Sequence, residues 1–307
     1  MTGSLGGDTP AVARQRVRLW LRRARRDTTT LTQTDVAKRL GWSLSKVQRI
    51  EIGEVAISET DLRAVLELYG VTGDDVVTAM VKDARLARRE RWTTNPEHRK
   101  LLSAGLRRLL QFEVAASEIR VYQPLLLPGI LQSPATAEYI INEFLGHLTD
   151  DERKVHLDVR MRRRKDVLDR PDGPKYYAVL DESVILRNVG GPRITAEQLE
   201  DLADVATRPN IFVRVVPLDE GKGAIIGSLG SFVLMILSDD DAEDTVLYRE
   251  RFITDGIEHD PELIRPYRDG FEDLWKLSLP EDATLRLIRL RAAALRVELD
   301  RLPATGE

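Results

Sequence analysis

The chain has 307 residues, enough for two domains, and an apolar fraction of 42% that suits ordinary globular cores. It contains no cysteine, which excludes disulfides, thiol catalysis, iron–sulfur clusters and cysteine-ligated zinc. The formal net charge of −4 is unevenly distributed: residues 1–110 carry 21 Lys and Arg against 13 Asp and Glu, whereas residues 111–307 carry 25 against 37. A basic head on an acidic body is the pattern expected when one domain faces phosphates and the other does not.

Residues 1–10 read as a flexible, glycine-rich tail without the apolar core of a signal peptide. The longest apolar stretch, residues 232–237, is far shorter than the roughly 20 residues that span a bilayer, so a cytoplasmic protein is expected. An amphipathic basic helix over 11–26 comes next, followed by a polar connection over 27–30.

Residues 33–51, QTDVAKRLGWSLSKVQRIE, have the spacing of a helix-turn-helix. Ala37 leaves room where the first helix presses on the second. Gly41, four positions on, allows the left-handed backbone of a tight turn. Val47 and Ile50 pin the second helix to the core. That helix is expected to start at Ser43, whose hydroxyl can cap the amides of Ser45 or Lys46, and to end near Gly53. Its outer face then carries Ser43, Ser45, Lys46, Gln48 and Arg49, with Leu44 at the edge. Leu44, Ser45 and Arg49 are the base-edge candidates, because arginine matches the two acceptors of guanine and leucine can press on a thymine methyl. Lys46 and Gln48 can reach bases or phosphates, and Gln33 is placed to hold a phosphate at a helix start.

Further helices are expected over 58–69 and 74–86, completing an all-helical DNA-binding module over 11–92. Asn95-Pro96 reads as a helix start, and the domain boundary is set there. The leucine-rich helix that follows, 96–118, overlaps a connecting segment over 93–112. It is either a spacer, a dimer seam or a helix packed on its own domain. The rest, 113–307, is expected to be a mixed α/β regulatory domain with a small sheet and flanking helices, so that the whole chain is α+β. Its helices start at Ser133-Pro134, Thr149, Thr195, Asp260 and Pro280. Its strands lie over 176–181, 211–217, 231–237 and 245–252, with a parallel crossover between the first two and a hairpin between the last two.

Little catalytic chemistry is legible. His98, His147, His156 and His259 lack metal-ligand spacing, and the acidic run 239–244 lacks the glycine of a calcium loop. No phosphate-binding glycine motif occurs. Asp181 and Glu182 are the one acidic pair placed for acid–base work, and strand-end hydrogen bonding, with Arg187 as a partner, is the favoured reading. With Arg187 they are also the candidates for a ligand or partner site. No enzymatic activity and no cofactor are expected.

The head resembles the Xre family of repressors, with its lambda-repressor-like helical fold. The resemblance implies a homodimer on an operator in double-stranded DNA and an ion pair between Arg25 and Glu51. The body resembles the C-terminal domain of actinobacterial, Scr-type antitoxin-like transcriptional regulators. Carrying this are Glu113 with Ala115 and Ala116, the stretch YQPLLLPGILQ from Tyr122 to Gln132, Val179-Leu-Asp-Glu182, Val189-Gly-Gly-Pro192, Gln198-Leu199, Pro209-Asn-Ile211, Gly230 with Phe232, and Tyr248 with Glu250. Ser133-Pro-Ala-Thr136 and Arg164-Lys165 depart from that pattern. What this second resemblance implies is a small protein partner, encoded nearby, held by the C-terminal domain. A small-molecule ligand is the other candidate for that domain.

Overall fold

The computed structural model describes residues 10–51, 55–88, 101–170, 173–237, 244–249 and 256–301. Helix α1 (Pro10–Thr28) starts at a proline, whose missing amide is no loss in a first turn, and buries Ala13, Val17, Leu21 and Ala24 at helical spacing. It runs further than the sequence reading had it. The hydroxyls of Thr28 and Thr29 donate to the carbonyls of Ala24 and Arg25 at 2.6 and 2.7 Å, so Asp27 and Thr28 belong to the helix rather than to a connection. Helix α2 (Gln33–Leu40) opens on a capping box between Thr32 and Asp35 and closes at Gly41, whose φ of 67° is the left-handed conformation that favours glycine. Helix α3 (Leu44–Glu51) is capped by Ser43, whose Oγ accepts from the Lys46 amide at 3.1 Å. Helices α4 (Glu59–Leu68) and α5 (Asp74–Ala87) complete the head. One cluster built on Val17, Leu21, Val36, Val47, Ile50, Leu62, Leu66 and Val81 holds all five together.

In the body, helix α6 (Ala104–Ala115) is capped by Ser103 and followed at once by strand β1 (Glu118–Gln123). A continuous helix to residue 118 is therefore not formed. The proposed start at Pro96 and the boundary at 92–93 lie outside the described residues. Leu102, Leu109 and Leu110 are buried inside the chain, so α6 packs on its own domain.

From β1 the chain crosses through α7 (Pro134–Phe144) and α8 (Asp150–Leu168) to the parallel strand β2 (Lys175–Asp181), then through α9 (Glu182–Leu186) and α10 (Gly191–Val205) to parallel β3 (Ile211–Val216). After α11 (Gly221–Gly227), strands β4 (Phe232–Ile236), β5 (Thr245–Arg249) and β6 (Gly256–Glu258) extend the other edge antiparallel. Helices α12 (Pro261–Leu277) and α13 (Glu281–Arg301) follow. The six-stranded sheet has the order β3-β2-β1-β4-β5-β6. The period of two along each strand divides two cores. Ile119, Val121, Ala178, Leu180, Val213, Val215 and Met235 face α6, α10 and α13, whereas Tyr122, Val179, Val216, Phe232 and Leu234 face α12.

The basic cluster of α8 points inward as a set of clamps. Arg163 donates twice to Glu113 of α6 at 2.6 and 2.7 Å, Arg164 twice to Asp201 of α10 at 2.7 Å, and Arg160 to Gln132 Oε1 at 2.7 Å. Gln198 accepts from the Ser133 amide at 2.7 Å and donates to the Leu131 carbonyl at 3.0 Å. Three of the residues that carry the body's resemblance, Glu113, Gln132 and Gln198, thus hold buried polar positions that fix α6, α8 and α10 against the loop after β1.

Head and body meet along α1. Arg18, 1% exposed, donates to Gln15 Oε1 at 3.0 Å and to the carbonyl of His259, just after β6, at 3.3 Å. Val12 packs against the core of the body. The His259 ring lies edge-on to Phe112 of α6 at 5.9 Å, and its Nδ1 is buried with no hydrogen-bond partner among the described residues.

Burial, then the positive charges of Arg18, Arg108 and Arg14, keep this imidazole neutral to well below the ordinary value of 6.5. An unfolded chain takes up that proton as the pH falls through about 6.5 while the folded chain does not. The stabilisation is therefore present above that pH and is lost below it, by at most about 1.4 kcal/mol per pH unit. His156, also lowered by burial, acts in the same direction, and Asp244, raised by burial, acts in the opposite one at lower pH. Urea unfolding from about pH 7.5 to 5.5 should show a steeper loss of stability for the wild type than for His259→Gln, the other two groups being common to both. Parallel slopes would mean that His259 takes up its proton in the folded state.

Candidate nucleic-acid interface

Glu51, at the end of α3, is buried, and its carboxylate is fully engaged. Arg25 of α1 donates to its two oxygens at 2.7 and 2.9 Å, and Gln33 Nε2 of α2 donates to the second at 2.7 Å. The hydrogen bonds to Glu51 raise the Arg25 guanidinium above its usual value. Burial first, and then the charge of Glu51, pushes the nearby Tyr69 phenol up to about 12. One carboxylate thus joins the three helices that set the angle of α3, and the ion pair expected between Arg25 and Glu51 forms.

With its inner stripe and terminal carboxylate committed, α3 turns Ser43, Leu44, Ser45, Gln48 and Arg49 to solvent. Arg49 Nε makes only a long bond of 3.4 Å to the Ser45 carbonyl of its own helix. The other two sequence candidates are placed differently. Lys46 is half-buried, donating to Asp61 of α4 at 3.0 Å with its ammonium 3.8 Å from the centre of the Trp42 ring. Gln33 is half-buried against Glu51. Each has a partner inside the head and must exchange it to touch a nucleic acid.

Thr34, Lys38 and Arg39 of α2 are also exposed, and the two cations extend the basic surface beside α3. The sequence candidates omit them, taking only Gln33 from the first helix of the pair; the cationic pair that ends that helix was the available signal. Where α2 meets α1, Arg22, Arg25, Arg26, Thr32 and Gln33 line a cleft of about 380 Å³ that Asp260 of the body closes on one side.

The three residues singled out in the body are not brought together. The Asp181 carboxylate accepts from the Ser183 amide at 2.9 Å and caps α9, and that of Glu182 accepts from the Leu218 amide at 2.9 Å. Arg187 lies exposed at the far end of α9, so the strand-end hydrogen bonding is local and does not involve it. Behind Asp181, the Tyr122 phenol is pushed up to about 12 by burial and then by that carboxylate. The acidic run 239–243 and Glu250 lie outside the described residues.

Residues 20–79 match a helix-turn-helix domain. Residues 106–290, more than half of the chain, match the family described as a domain of unknown function, DUF5753. The chain belongs to the DUF5753 family. No curated protein and no solved structure matches it. The helix-turn-helix makes the protein a DNA-binding regulator, with the DUF5753 domain as its body. No described helix is long and apolar enough to cross a membrane.

Replacing Glu51 with alanine leaves the Arg25 guanidinium and the Gln33 amide without their shared acceptor on the wall of the cleft. Removing one member of a fully buried pair typically destabilises by about 3–5 kcal/mol, and access from the cleft lowers the expected loss to about 1–3 kcal/mol. Glu51→Ala should lower the urea midpoint of the head by a corresponding amount, read by Trp20 and Trp42 fluorescence in a chain whose other tryptophans are replaced by phenylalanine. A loss within about 0.5 kcal/mol, the range of an ordinary surface substitution, would mean that hydrophobic packing alone orients α3.

Proposed function

We propose that this protein is a sequence-specific transcriptional regulator of the Xre type, acting in the cytoplasm, whose DUF5753 domain binds a small protein partner in an antitoxin-like arrangement and passes its presence to the DNA-binding head. The observation that carries the DNA half is the solvent-facing set Ser43, Leu44, Ser45, Gln48 and Arg49 on a helix held by the Glu51 network. Arg49 reads a guanine edge, Leu44 presses on a thymine methyl, and Ser45 and Gln48 bond permissively. Lys38, Arg39 and the α2 N-terminus hold phosphates. Lys46 and Gln33 join them only by leaving Asp61 and Glu51.

The partner half rests on the resemblance of the body and on its charge. With 25 Lys and Arg against 37 Asp and Glu, residues 111–307 suit a basic small protein. The body contributes no catalysis in this reading, because Asp181 and Glu182 already serve as a helix cap and a loop anchor. A second reading, a small anionic metabolite as effector, rests on the cleft of about 380 Å³ at the boundary of head and body, where Arg22, Arg25 and Arg26 stand with Glu51 and Asp260 and an anion has to draw Arg25 away from Glu51.

Gel-shift assays on the DNA upstream of the gene, with and without small proteins recovered on the immobilised chain, separate these readings. A small protein that alters the shift supports the receptor. DNA binding that responds only to an anionic metabolite, with a matching rise in melting temperature, supports the sensor. For the recognition helix, Arg49→Ala should weaken binding to the selected site by about 1–3 kcal/mol and relax preference at one base pair in a randomised-duplex selection. Uniform weakening on every duplex would make Arg49 a phosphate contact.

A further inference from the structure

Among the described residues, the last helix of the body turns a strip of apolar side chains to solvent. α13 packs Thr284, Ile288, Ala292 and Leu295 inward against α10 and β3. Away from that core Leu290, Ala294 and Val297 are exposed; with Ala283 and Leu287, half-buried at the edge where Leu287 packs against the body's core, they follow one another at alternating spacings of four and three, the spacing of a coiled-coil seam. Leu290 is 70% exposed and Val297 48%, and Ala294 is exposed as well. Leu186, also exposed, lies at the rim, where Arg291 bonds to its carbonyl at 3.2 Å and to Asn188 at 2.9 Å.

We propose that this face of α13 joins two copies of the chain as an antiparallel helix pair about a two-fold axis near Ala293. Charge decides both the occupant and the direction. In an antiparallel pairing Leu290 meets Ala294 of the other copy and Leu287 meets Val297. Arg286, which bonds to Asp282 of its own helix at 2.7 Å, then stands opposite Asp300 on one flank, twice by symmetry. On the other flank Arg291 meets its own copy, but its guanidinium is already drawn toward Leu186 and Asn188. A parallel pairing instead sets Arg286 against Arg291 twice and aligns the two helix dipoles unfavourably. The alanines at 293 and 294 permit close approach of the two axes at the centre. The seam from residue 283 to 301 is about 27 Å long, and a second copy supplies its own matching strip, as a two-fold interface requires.

This inference deepens the proposed regulator by naming the surface that makes it dimeric, and it is tested independently of DNA. Sedimentation velocity on the full chain should give twice the chain mass. Leu290→Glu should give the monomer, with an unchanged circular-dichroism spectrum because the side chain is exposed. Arg286→Asp and Asp300→Arg should each weaken the dimer by tenfold or more, and the double swap should restore it. Because the chain has no cysteine, Ala293→Cys should cross-link to itself with a short bis-maleimide, whereas Ala283→Cys, about 27 Å from its copy in this arrangement, should not. A monomeric wild type, a dimer indifferent to Leu290→Glu, or self-cross-linking at position 283 would overturn the proposal. The regulator reading fails separately: a Leu290-dependent dimer that shifts no duplex would leave this surface standing and remove the DNA-binding function.

Discussion

The arrangement of the head depends on one constraint, that a carboxylate buried at the end of α3 must have its oxygens bonded. Burying an unpaired charge is far more costly than any single contact in a domain of this size can offset. Glu51 therefore requires Arg25 and Gln33 where they are, and these requirements reach back along the chain. Arg25 lies in the last turns of α1, so α1 must continue far enough to present it, and the hydroxyls of Thr28 and Thr29 close that extension. Gln33 begins α2, so the capping box of Thr32 and Asp35 fixes the residue that completes the Glu51 shell. The exposed face of α3 is what remains once these demands are met.

The body solves a similar problem with opposite chemistry on each side of its helices. α8 has a largely charged sequence and yet packs firmly, because Arg160, Arg163 and Arg164 occupy one face at spacings of three and four and find Gln132, Glu113 and Asp201 there. Burial alone would weaken the Arg163 charge. The carboxylate of Glu113 more than offsets it and raises the guanidinium above its usual value. Such clamps are directional where hydrophobic contacts are not, and they fix α8 against both α6 and α10 in a single register.

Elements with a strong local signal were legible in the sequence. The capped helices starting after Ser58, Ser133, Thr149 and Asp260 could be read because side-chain caps are local chemistry, and Gly41 because only a left-handed turn needs it there. Strand β1 was not legible. Its sequence EIRVYQ places Glu118 and Arg120 in the middle of a sheet, which hydrophobic patterning reads as a helix end. The structure accommodates them by pairing Arg120 with both Glu118 and Glu272 of α12. Short α9 was missed for a related reason, since its cap, Asp181, also ends β2 and its five residues are too few to show a period. At the DNA surface the types of residue could be read, but not their engagements. Lys46 and Gln33 looked as available as Arg49 because their partners, Asp61 and Glu51, come 15 and 18 residues later in the chain.

The same helix that presents Arg25 to the recognition unit presents Arg18 to the body, two turns earlier on one rigid rod. Both guanidiniums are held with little solvent, and both bond to groups on other elements, Arg18 to the backbone beside β6 and Arg25 to α3. α1 is stiff over two turns, so under the proposed function a displacement at His259 would reach the Glu51 site through it. Bidentate geometry tolerates little of that before one of its two bonds lengthens. Gln33, sharing the same carboxylate, would then be freed at the start of α2, where a phosphate can take the place of Glu51. Under the proposed function, the partner exchange asked of Gln33 and the link along α1 from the body therefore converge on one carboxylate, that of Glu51.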